Sequence, residues 1–428
     1  MRFKQTNLPN GAKLYYVKNR INESTVVDIN FDSGSRCDWI AGLAHFTEHM
    51  FFTGTKDLSK EDIAKKYFDF ISVNASTSTR YINFNGQVFT KEFADYLSTV
   101  AMMITESTFS DKNIKKEIPV VQQEIALQKD KFQIMSAWLA DYLAYESPEY
   151  KNTTLGNQKS VATIKSEDVK KFVSKYFVAN NLEVFVASPC SMGKVKKLVT
   201  KNLVNKLPVN NNFEKMPYFY NNVKNNNFYK VEYKDINKCY IYINFAMNRN
   251  RWDFDFKHKF GLVLDMLNDI SEGILNALRL KKSLVYGAGI RDSYFEKNSQ
   301  SFFSTECDKE NVNAVIETLA KYLKDMAKTG FTQAQLDKAK RLYEFGEVTK
   351  EVRLRKLTGK LYQFKYYGKI LKEKDAKKAI KSATLDEVNA LFREVFENPT
   401  VSLLVYGNAT KEEVMNKKEF NKVFKMQK

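Results

Sequence analysis

Apolar residues recur along this chain with two periods, and the changes of period mark its elements. Ser24–Phe31 reads STVVDINF and Lys238–Phe245 reads KCYIYINF. Both are rich in β-branched and aromatic residues, which predicts strands. Leu182–Ala187 (LEVFVA) and Val401–Tyr406 (VSLLVY) predict two more. Lys91–Thr105 and Val312–Lys328 carry apolar residues at three- and four-residue spacing, which predicts helices. Asp111–Lys129 predicts another. Asp111 is its candidate N-cap, and Ile114, Ile118, Val121 and Ile125 form one apolar stripe.

These elements occur twice in the same order. Asp168, Val169 and Phe177 precede the Leu182 strand, and Glu387, Val388 and Phe396 precede the Val401 strand at a constant offset of 219 (387 minus 168). Phe109-Ser110 and Phe331-Thr332 repeat at an offset of 222 (331 minus 109). Such offsets predict a duplicated unit. Between the copies lies PVNNNFEKMPYFYNNVKNNN, Pro208–Asn227, whose asparagines and prolines suit a linker. The expected domains are 1–207 and 228–428, joined by 208–227. Runs of helices beside mostly antiparallel strands predict an α+β fold with helices packed on sheets.

Composition narrows the classes. Apolar residues make up 43% of 428 residues, enough for packed cores, so wholesale disorder is excluded. No stretch approaches the ~18 apolar residues of a membrane helix, so no integral membrane segment is expected. The N-terminus, MRFKQTNLPNGAKLYY, has no apolar core of a secretory signal. Cys37, Cys190, Cys239 and Cys307 are scattered without a C-x-x-C, which points to a reducing compartment, and a cytoplasmic location is expected. The net charge is +18, but the lysines are spread along the whole chain with no dense block, so no nucleic-acid partner is expected.

The chemistry concentrates in GLAHFTEHMFFTGT, residues 42–55. His45 and His49 are at i and i+4, so a helix projects both from one face, and Glu48 shares that face. Gly54 is placed to end that helix. Two neutral imidazoles at this spacing can hold one Zn²⁺, leaving the adjacent carboxylate to act on water. The arrangement is H-x-x-E-H, an inverted zincin motif. A catalytic zinc takes a third protein ligand, which must come from elsewhere in the chain. The Asp111–Lys129 helix carries Glu117 and Glu124, seven residues apart and on nearly the same side. Pro119 between them is expected to kink the helix and to change how the two carboxylates face. His258, in a run with no partner spacing, reads as a core or surface residue.

Taken together, these features resemble the pitrilysin family of zinc metallopeptidases, which includes insulysin and the mitochondrial processing peptidases. That family pairs H-x-x-E-H with a distant glutamate and a second glutamate seven positions before it. Here Glu124 follows His49 by 75 residues (124 minus 49). Leu8-Pro9-Asn10-Gly11, Ser33-Gly34-Ser35-Arg36, Asn74-Ala75-Ser76-Thr77 and Leu155-Gly156 before Val161 are similar to family segments as well. The resemblance implies that His45, His49 and Glu124 bind zinc, that Glu48 is the general base, and that Glu117 steers a ligand or the water. Arg279 and Tyr286, also seven apart, resemble the family's substrate-contacting pair. Asn74, Ala75, Ser76 and Thr77 have the polar composition of an exposed edge strand, where an extended peptide can add, and the family uses this region in that way.

The implied activity is zinc-dependent endopeptidase action, with one zinc per chain, on peptides or short unfolded proteins in an enclosed chamber. Family chambers comprise four such domains and this chain has two. A homodimer, or a heterodimer with a related subunit, is therefore expected. The alternative is a non-catalytic peptide-binding subunit of such a heterodimer.

Overall fold

The computed structural model describes residues 3–63, 74–129, 153–216, 228–247, 249, 253–294, 299–348, 355–367 and 373–425. Two compact units are present. The first is built on a six-stranded sheet: β1 (Phe3–Asn7), β2 (Lys13–Lys18), β3 (Ser24–Phe31), β4 (Asn74–Thr77), β5 (Ile82–Phe89) and β6 (Leu182–Ser188). Their spatial order is β1-β2-β6-β3-β5-β4. Only the β2–β6 pair is parallel. That matches the predicted mostly antiparallel α+β architecture.

The sheet is apolar on both faces, and every residue of β6 is buried. On one face Val27, Ile29, Phe31, Phe84 and Val184 pack against helices, including α1 (Leu43–Met50), α2 (Phe93–Glu106), α3 (Asp111–Lys129) and α4 (Ser166–Tyr176). An aromatic knot fixes α1 to this face. The Phe51 ring lies 4.7 Å from that of Phe177 and 5.5 Å from that of Phe84.

The opposite face carries Tyr15, Val17, Val26, Phe185 and Ala187, and these meet Leu357 and Leu361. They belong to a helix, Arg355–Tyr367, that comes from the second half of the sequence. This helix is part of the first unit. A boundary drawn at 208–227 alone therefore misassigns this helix. The physical reason is that a sheet apolar on both faces needs a cover on each. Tyr362 and Lys365 on the helix also satisfy polar groups of the sheet. Asn30 Nδ2 donates to Tyr362 Oη at 2.8 Å, and Lys365 pairs with the buried Glu183. Of the expected linker, 208–216 packs on the first unit: Ala179 N donates to Pro208 O, and Phe213 meets Tyr176. Residues 217–227 lie outside the described residues.

The second unit holds the described residues of Tyr220–Lys350 and Leu371–Lys428. Its sheet comprises β7 (Tyr229–Tyr233), β8 (Cys239–Met247), β9 (Ala288–Tyr294), β10 (Ser299–Cys307) and β11 (Val401–Gly407), in the order β7-β11-β8-β10-β9. This repeats the β2-β6-β3-β5-β4 portion of the first sheet, again with one parallel pair, β7–β11. The helices Val312–Thr329 and Leu385–Phe396 begin 219 residues after α2 and α4 (312 minus 93, 385 minus 166). The duplication legible in the sequence is thus a duplication of topology.

Candidate metal centre

The first-unit helix α1 brings the two histidines to one place. It starts at Gly42, whose φ of 91° is the left-handed conformation that glycine adopts without penalty. A Cβ there would also sit 2.4 Å from the Leu155 carbonyl oxygen. Asp38 accepts hydrogen bonds from Gly42 N at 2.9 Å and Ala44 N at 2.8 Å, satisfying amides that the helix start leaves open. Leu43, Phe46 and Met50 are fully buried and clamp the helix to the core. The helix ends at Met50, before Gly54, which instead bridges to Ser59.

Helix α3 supplies the carboxylates. Its cap is Ser110 rather than Asp111: Ser110 Oγ accepts from Asn113 N at 3.3 Å, and Asp111 sits in the first turn. Ile114, Val121 and Ile125 are buried as the stripe predicted, and Ile118 packs at the margin of the core. Pro119 does not end the helix. The helix runs from Asp111 through Lys129 with the proline inside it, and both glutamates reach α1.

The geometry is specific. Glu124 Oε2 lies 3.3 Å from His49 Nε2 and 3.7 Å from His45 Nε2. Each of the three residues offers a ligand atom within 4.8 Å of the others, and this is the only such group of three metal-binding side chains among the described residues. Zinc bonds of roughly 2.0–2.2 Å in a tetrahedral arrangement set neighbouring ligand atoms about 3.3–3.5 Å apart. Two imidazole nitrogens and one carboxylate oxygen also form a borderline-soft donor set suited to zinc. The residues present therefore fit the ion. Side-chain exposure rises from 9% at His45 to 36% at Glu124, so the cluster is reachable from solvent on the Glu124 side.

The surroundings act oppositely on the two histidines. Burial and the neighbouring His49 push His45 down to about 3, so it is a neutral imidazole. On His49, burial acts to lower the pKa, but Glu117, Glu124 and Glu48 together raise it. Glu117 Oε1 is 3.0 Å from His49 Nδ1. Burial pushes the Glu117 carboxyl up, yet His49 and Lys60 outweigh that and hold it below the usual carboxylate range. An ionised Glu117 accepts a proton-bearing Nδ1, which turns the lone pair of Nε2 toward Glu124. Lys60, 3.6 Å from Glu117 Oε2, was not legible in the sequence, because it arrives by tertiary contact. Asp38 was also missed, although an aspartate just ahead of a helix start is a signal that could have found it. Replacing Glu117 with Gln is expected to weaken zinc affinity about 10- to 100-fold, read by competition with a chromogenic chelator.

Glu48 is buried, and burial raises its pKa. Its Oε2 accepts a hydrogen bond from Thr77 Oγ1 at 2.5 Å. Thr77 ends β4, the outermost strand of the sheet on that side. Asn74 and Ser76 on the same strand are exposed, and Ala75 is buried. The first unit therefore assembles His45, His49, Glu124, Glu117, Glu48 and the Asn74–Thr77 strand.

Arg279 and Tyr286 belong to the second unit. The Arg279 guanidinium stacks 4.6 Å from the centroid of the Tyr286 ring, which is 78% exposed. Arg279 sits in a wide, π-type helical turn, Asn276–Leu280, anchored by the buried Leu278. Such turns recur at functional sites. His258 lies on the second-unit helix Phe254–Leu267, and burial lowers its pKa.

Comparison with known proteins gives the family. The model of "Insulinase (Peptidase family M16)" matches residues 14–158, and that of "Peptidase M16 inactive domain" matches residues 163–343. The chain belongs to the pitrilysin, or M16, family. This M16 chain is 30% identical over 198 residues to a Bacillus subtilis protein named "Uncharacterized zinc protease YmxG", a match covering 45% of the chain and 48% of that relative. The match thus spans about half of the relative's length. It is 22% identical over 376 residues to a Helicobacter pylori protein named "Non-peptidase homolog YmxG", covering 87% of the chain and 85% of the relative. Its fold matches the crystal structure of a protease from Helicobacter pylori with a TM-score of 0.80 at 20% identity, over 95% of this chain and 99% of that one.

Proposed function

We propose that this M16 chain is a zinc-dependent endopeptidase acting on extended peptides or short unfolded proteins. One observation carries the reading: His45, His49 and Glu124 converge on a single point, with Glu48 on the same helix and not among the three converging residues. His45, His49 and Glu124 would hold the zinc, which supplies Lewis acidity that makes water a nucleophile near neutral pH and polarises a carbonyl.

The protein's own residues do the rest. Glu48 takes a proton from the attacking water and delivers it to the departing amine. Glu117 holds His49 in the tautomer that keeps Nε2 free to ligate. The backbone of β4 pairs with the peptide and holds it extended, which gives affinity with little dependence on side chains. Arg279 and Tyr286 orient the substrate or stabilise the developing oxyanion. The working enzyme pairs this chain with a second one, a copy of itself or a related subunit, because two units make half of the family's four-domain chamber. Its four free cysteines suit a reducing, cytoplasmic setting.

A second reading has one observation in its favour: a relative that aligns over 87% of the chain is named a non-peptidase homolog. In that reading the chain binds peptides as a non-catalytic partner. Mass spectrometry of an unbiased peptide pool separates the two. The expected result is new termini that vanish when a chelator removes zinc and return when zinc is restored. Peptides bound and recovered intact would overturn the proposal in favour of the second reading.

A further inference from the structure

We propose that Thr77 is a positioning residue that ties the peptide-docking strand to the catalytic base. The inference rests on the reading of Glu48 as base and deepens it. β4 pairs with β5 from Asn74↔Asn85 to Thr77↔Ile82, and it is the last strand of the sheet on that side. Side chains alternate along a strand, so Thr77 shares the inward face of β4 with the buried Ala75, while Asn74 and Ser76 point outward. The inward face is the one turned to α1, and there the Thr77 hydroxyl donates to Glu48 Oε2.

The consequence is chemical. A buried carboxylate with no partner loses definition in its side-chain torsions, and a small misplacement of a reacting group costs rate rather than binding. Thr77 fixes one oxygen of Glu48 and leaves Oε1 to meet the water. Asn74 Oδ1 also accepts from Ala75 N at 3.0 Å, which braces the start of the strand. A peptide that adds to the edge of β4 bonds to the same short strand that holds the base. Docking energy along that edge is thereby directed to base orientation, an interaction that counts in the transition state.

The test uses full-length chains carrying Thr77→Val, which keeps the shape and removes the donor, and Thr77→Ser, which keeps the donor. With zinc content equal to wild type, Thr77→Val is expected to lower kcat roughly tenfold to a hundredfold with KM little changed. Thr77→Ser is expected to restore most of kcat. Crystal structures provide a readout apart from activity: the Glu48 carboxylate should leave its place in Thr77→Val and keep it in Thr77→Ser. Thr77→Ala serves in the same role if the valine chain does not fold. An unchanged kcat in Thr77→Val, an effect confined to KM, or an unmoved Glu48 in the crystals would each overturn the proposal. If wild type cleaves no peptide, the endopeptidase reading fails on its own, and the crystals still decide whether Thr77 holds Glu48.

Discussion

Replacing Glu48 with Gln is expected to lower peptide hydrolysis by about a thousandfold while the chain still takes up one zinc. The rate effect follows from removing a general base, typically worth about 10²- to 10⁴-fold. The retained metal follows from the geometry. The ligand atoms belong to His45, His49 and Glu124, and Glu48 instead engages Thr77. A glutamine fills the same space, and its carbonyl still accepts the Thr77 hydrogen bond, so the local structure is preserved and only the proton acceptor is lost. The measurement is kcat on a quenched peptide beside zinc analysis of the same sample. Cleavage at the wild-type rate by Glu48→Gln would remove Glu48 from the mechanism.

The second large effect lies away from the zinc-binding residues. Lys365→Met is expected to destabilise the protein by about 3 kcal/mol, because it strips a buried carboxylate of its main partner. Glu183 is 4% exposed on its side chain and Lys365 is 14% exposed. Lys215, 3.5 Å from the other Glu183 oxygen, is 46% exposed and compensates little. Methionine keeps the apolar stem of the lysine, so the loss reports on charge rather than packing. In a thermal melt this corresponds to roughly 6–12 °C for a unit of this size.

The same pair gives a pH signature. Burial pushes the Glu183 carboxyl up, but Lys365 and Lys215 together outweigh it and bring its pKa below the ordinary value. A carboxyl with a depressed folded pKa stabilises the fold fully above its unfolded pKa of about 4.3, and that stability is lost as pH falls through the folded value. The gap in stability between wild type and Lys365→Met is therefore expected to be widest near neutral pH and to narrow below about pH 4. A gap that stays constant with pH would show that Lys365 stabilises by packing alone.

Much of this architecture is legible in the primary sequence because its signals are local. The β3 strand spans Ser24–Phe31 as its composition predicts, and the returning strands and the paired helices fall where the 219-residue offset places them. The H-x-x-E-H helix is equally plain, since two histidines four apart share a face whatever the surroundings. The contacts that complete the molecule are not local. Nothing in Arg355–Tyr367 announces that it covers a sheet more than 150 residues earlier in the chain, because amphipathic spacing fixes which face is apolar and not what that face meets. Lys60 reaching Glu117 and Thr77 reaching Glu48 are likewise outcomes of packing. Pro119 lies inside α3, and buried Ile114, Val121 and Ile125 seat the helix on the core on either side of it.

We propose that one zinc ion joins α1 to α3 through His45, His49 and Glu124. Zinc analysis of the purified full-length chain beside its His49→Ala variant tests it most directly. The expected result is one zinc per wild-type chain and almost none in the variant, with both chains folded by circular dichroism. Equal zinc in the two, or none in the wild type after dialysis against the ion, would contradict it.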